Sequence, residues 1–120
     1  MIELDNSGDI DPLFLSRLVE LGGTKLAMEL IDMYLVRGAD LLDAISTGIA
    51  ANDFAKIRSA AHSLISSAGN LGGKKVSELA KLLEKSAMEE NPAPLKSLLS
   101  EALSAQITFQ EYLRGVMGKL

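Results

Sequence analysis

Leucine, isoleucine and alanine recur along this chain every three or four residues, and no apolar–polar alternation of strand length appears. The pattern predicts helices throughout. A short one covers about 12–21, with Asp11 as N-cap and Pro12 at the first helical position; Gly22-Gly23 ends it. The next runs over about 24–47 with Leu26, Leu30, Met33, Leu41, Leu42 and Ile45 inward, and Gly38 marks a candidate kink. A third covers about 53–71, capped by Asn52 or Asp53, with Ile57, Ala61, Leu64, Ala68 and Leu71 on one face before Gly72-Gly73. A fourth, about 74–88, turns Val76, Leu79, Ala80, Leu83 and Ala87 inward. Asn91-Pro92 separates it from the last, about 94–116, with Leu95, Leu98, Leu99, Ala102, Phe109 and Leu113 inward.

Long helices joined by short loops pack most simply as an antiparallel, up-down four-helix bundle. The expected fold is therefore all-α, with the short additional N-terminal helix covering one end. A length of 120 residues fits one domain, 1–120, with a bundle core at about 24–116. Aromatic residues are 4% and tryptophan is absent, so Leu, Ile and Ala must fill the core; the five scattered methionines read as core fillers too.

Charge and residue usage then remove whole classes of function. A net charge of −4 and a pI near 4.9 argue against broad phosphate neutralisation on nucleic acid and against an anionic membrane surface. Cysteine is absent, which excludes disulfides, thiolate metal sites and cysteine nucleophiles. His62 is the single histidine, so no multi-histidine metal site can form, and no metal site is expected. The first twelve residues are polar and acidic where a signal peptide needs a basic start and an apolar block. The uncharged stretch 59–73 is too short and too polar to span a bilayer. A cytoplasmic, monomeric chain is the resulting expectation.

The third helix carries the candidate chemistry. Residues advance by about 100° per position, so with Leu64 inward, His62 points away from the core. Arg58, Ser59, Ile65 and Ser66 lie one turn before and after it, with Gly69 a further turn along. Small residues leave the ring uncovered, so a partner's backbone can approach. An imidazole near neutral pH can attack phosphorus through nitrogen. A solvated histidine without a role is the plain alternative. No phosphate-binding GxxxxGK[ST] run is present, so autonomous kinase activity is not expected. No Glu-x-x-His pair exists for a di-metal bundle, and an exposed helix face offers no oxyanion hole for a serine triad.

The run Ala60-Ala61-His62-Ser63-Leu64-Ile65-Ser66-Ser67-Ala68-Gly69-Asn70-Leu71-Gly72-Gly73, followed by Leu82-Leu83-Glu84, resembles the histidine-containing phosphotransfer (HPt) domain of bacterial multistep phosphorelays. Leu30 to Leu35, Leu41-Leu42 and Ala50 to Asp53 resemble the preceding helix and loop. The resemblance implies a four-helix bundle whose exposed His62 is the phosphoacceptor. It implies exchange with aspartates of response-regulator receiver domains, or with a hybrid sensor kinase, without a cofactor of its own; Mg²⁺ would come from the receiver. Glu84 falls where the family often places Gln or Glu to orient the imidazole. Ser66, Gly69 and Gly72 match the family's small residues. Ile65 stands where the family usually has lysine. Arg58, Lys81 or Lys85 would then supply the missing positive charge around the phosphoryl group, and Ser59, Ile65 and Gly69 would form the docking surface.

Other classes of protein fit the residues as well. One is a degenerate HPt-like module that docks a receiver or kinase without phosphotransfer, which Ile65 favours and the retained His62 and Glu84 oppose. A plain structural bundle, alone or as part of a larger kinase, is another.

Overall fold

The computed structural model describes residues 8–120. Residues 1–7, part of the expected single domain and of the polar N-terminal stretch, lie outside the described residues. Four helices make the framework: α1 (Leu13–Ala50), α2 (Phe54–Gly69), α3 (Lys74–Met88) and α4 (Leu95–Met117), with no strand among the described residues. At α2 the Asp53 carboxylate caps the helix by accepting from the Lys56 N–H at 3.1 Å. At α1 the Asp11 carboxylate accepts from the Leu13 N–H at 3.0 Å, and Pro12 occupies the cap position.

Each helix packs on the next, and α4 returns to α1. The connections, residues 51–53, 70–73 and 89–94, are so short that consecutive helices must reverse direction. The result is an antiparallel four-membered ring around one core. Ile31, Ile45, Ile57, Leu64, Leu83, Leu113 and Phe109 are fully buried there. Burying each such side chain contributes roughly 1.5–3 kcal/mol. The Tyr34 and Phe109 rings meet tilted at 59° with centroids 5.3 Å apart.

The short first helix ends at Gly22-Gly23 as the pattern predicts: within α1 two helical segments meet in a kink at Gly23 (φ 79°, ψ −179°), a conformation that a side chain would strain. Other expectations are corrected. Gly38 does not kink the helix. It makes room, because a Cβ there would lie 2.8 Å from Tyr34 Cζ and 2.9 Å from Gln106 Nε2. Met33 is 66% exposed rather than inward, and Ile31 and Tyr34 hold the buried positions of that turn. The described methionines do not fill the core: Met28, Met33 and Met88 are exposed and Met117 is half-buried. Leucine, isoleucine and the two tilted rings already occupy that volume.

The segment before α1 is also integral. Its Asp11 N–H donates to the Gly72 carbonyl at 2.7 Å, and the Asp9 carbonyl accepts from the Lys75 N–H at 2.9 Å. The second bond satisfies a backbone donor in the first turn of α3 that has no partner within the helix. Ile10 and Leu15 thereby enter the core.

Candidate functional site

The rotation of α2 follows from its buried stripe. Ile57, Ala60, Ala61, Leu64 and Ala68 face the core, and this leaves Arg58, Ser59, His62 and Ser66 outward. The His62 side chain is 75% exposed, as the pattern predicts. On α3, fully buried Leu83 and buried Ala87 fix the helix so that Glu84, 22% exposed, leans toward α2. His62 Nδ1 and Glu84 Oε2 are 2.6 Å apart. An ionised carboxylate only accepts, so Nδ1 carries the proton and donates it to Glu84. Nε2 then keeps its lone pair and faces solvent.

A shallow depression surrounds the ring, lined by Ala55, Arg58, Ser59, His62, Ser63, Glu84 and Met88. Arg58 is its one cationic lining group. Lys81, Lys85 and Ser66 are exposed but outside that lining. Ile65 is half-buried and packs against the core, so only part of it is available to a docking partner. Gly69 is half-buried beside Ser77 of α3: a Cβ on it would lie 3.4 Å from Ser77 Oγ. Among the described residues no three His, Cys, Asp or Glu side chains converge as a metal site. No helix among them is long and apolar enough to cross a membrane.

Sequence reasoning missed Ala55, Ser63 and Met88 as lining residues. Ala55 and Met88 lie on the same helix faces as His62 and Glu84, so helical spacing contains the signal. It also missed Ser77, whose hydroxyl donates to the Ile65 carbonyl at 2.8 Å.

Fold and site together define a helical bundle that offers solvent a single imidazole anchored through its inner nitrogen. The Hpt domain family model matches residues 29–109, and the chain belongs to that family. The fold is similar to the crystal structure of histidine-containing phosphotransfer protein B (HptB) from Pseudomonas aeruginosa PAO1. The TM-score is 0.90 and the identity 18%, covering 96% of this chain and 99% of that one. A search of curated protein sequences found no match.

Proposed function

We propose that His62 is the phosphoacceptor of a multistep phosphorelay, exchanging a phosphoryl group with aspartates of receiver domains. The observation that carries this reading is the exposed ring with Nδ1 held 2.6 Å from Glu84, which turns Nε2 outward as a nucleophile. The step balances without a group from outside the two proteins. The Nε2 lone pair attacks the aspartyl phosphate, and an N–P bond forms. The P–O bond to the aspartate breaks, and its electron pair returns to that carboxylate. The Nδ1 proton stays against Glu84, which offsets the positive charge the ring acquires. Mg²⁺ belongs to the receiver in this reading, and a hybrid sensor kinase is a partner through its own receiver domain.

Phosphoryl transfer depends on positioning and charge stabilisation more than on covalent machinery. An open, shallow site therefore suffices, provided the partner closes over it. Arg58 is placed to face the incoming negative charge where the family's lysine is replaced by Ile65. Lys81 and Lys85 on α3 stand outside the depression and serve the partner's rim.

The test is incubation with a phosphorylated receiver followed by mass spectrometry. An acid-labile adduct of one phosphoryl group, lost in His62→Gln, is expected. Receiver binding with no adduct overturns the reading in favour of a docking module; neither binding nor adduct leaves only a structural bundle.

A further inference from the structure

Among the described residues two side-chain hydrogen bonds join α2 to α3: His62 to Glu84, and Ser77 to the Ile65 carbonyl. They differ in shelter. His62 stands 75% in solvent, and exposed ion pairs alone hold geometry weakly. Ser77 is 8% exposed, so its bond is shielded from competing water. The two bonds are also linked by position. Ile65 lies one turn after His62, and Ser77 lies two turns before Glu84 on the same face of α3. Because the helices run in opposite directions, both bonds sit in one seam. The rest of that seam is apolar, and apolar burial has no preferred direction. A hydroxyl-to-carbonyl bond is directional and holds distance within a few tenths of an ångström.

We infer that Ser77 is a positioning residue: its hydroxyl fixes the axial register of α3 on α2 and so keeps Glu84 under His62 Nδ1. The effect on phosphorylation rests on the phosphotransfer reading above; the effect on the imidazole does not.

The experiment compares Ser77→Ala with Ser86→Ala, which removes an equally buried hydroxyl from α3 without a bond to α2. The first readout is the ¹⁵N spectrum of the His62 ring, which reports the nitrogen that carries the proton. The second is the rate of phosphorylation by phosphoramidate, in which Nε2 attacks phosphorus and the P–N bond breaks to release ammonia with its electron pair. Ser77→Ala is expected to lower the share of Nδ1-protonated ring and to slow phosphorylation about threefold or more. Ser86→Ala is expected to change neither. If Ser77→Ala does not fold, Ser77→Cys keeps the volume, weakens the donor and reports the same two signals. An unchanged ring spectrum in the Ser77 variant, or an equal change in Ser86→Ala, overturns the inference. Should the native chain take no phosphoryl group while the ring spectrum still responds to Ser77, the phosphotransfer reading falls and the positioning role stands.

Discussion

His62 and Glu84 lie 22 residues apart in sequence, yet their side chains meet at 2.6 Å across the α2–α3 seam. Glu84→Gln keeps the size and an acceptor oxygen but removes the charge. The pair is exposed on the histidine side, so a loss of about 1 kcal/mol is appropriate rather than a buried-pair value. Phosphorylation of His62 should slow about fivefold, and Glu84→Ala should slow it at least as much. Single-turnover rates with a phosphorylated receiver measure this. Equal rates in all three proteins would remove Glu84 from the mechanism.

Arg58 shares the depression with His62, whereas Lys81 stands outside it. Arg58→Ala should slow transfer about three- to tenfold, the scale of one solvent-screened charge near a phosphoryl group. Lys81→Ala should have the smaller effect, and both effects should shrink as salt rises. A larger effect at Lys81 would relocate the compensating charge to α3.

His62 faces water, so His62→Gln should shift stability by no more than about 0.5 kcal/mol. Leu64, two positions on, is fully buried, and Leu64→Ala should cost about 2–5 kcal/mol. Chemical denaturation of the two variants checks both. A severe loss from the histidine change would contradict the facing of α2.

Tyr34 donates its hydroxyl to Gln106 Oε1 at 2.5 Å inside the core, while the Gln106 amide nitrogen has no hydrogen-bond partner among the described residues. Burial pushes the Tyr34 hydroxyl well above its ordinary value near 10. The folded protein therefore holds that proton more tightly than the unfolded chain. Its contribution is fully present below about pH 10 and is lost as pH rises beyond that value. Tyr34→Phe should cost about 1–3 kcal/mol at neutral pH, because the whole amide is left unpaired. It should also flatten the alkaline loss of stability. Adding Gln106→Leu should recover part of the neutral-pH cost. Urea midpoints at about pH 9 and 11 decide the matter: a Phe variant as steep as the native chain would exonerate Tyr34.

Helix positions, the cap at Asp53 and the outward direction of His62 were legible because each follows from local spacing. Three to four residues of periodicity are enough to fix which way a side chain on α2 points. What stayed hidden depends on distant parts of the chain. Tyr34 and Gln106 are 72 residues apart, and nothing near either residue signals the other. Gly38 looks like a helix breaker until Tyr34 and Gln106 are seen beside it. Met33 sits near the apolar stripe but just past its edge, where a rotation of one position turns it to solvent. Ile10 lies in a polar stretch, and its burial depends on backbone bonds to Gly72 and Lys75 that no periodicity announces. The Glu84 contact was suggested by family resemblance; composition alone would have left it an ordinary surface charge.

The span matched to the family starts at residue 29, but Ile10 and Leu15 are core residues, and the backbone of Asp11 and Asp9 is bonded to the turn ahead of α3 and to its first turn. The stable folding unit is accordingly wider than the span by which kinship is detected. Excising the matched span alone would strip the lid from one end of the bundle and loosen the first turn of the helix that carries Glu84.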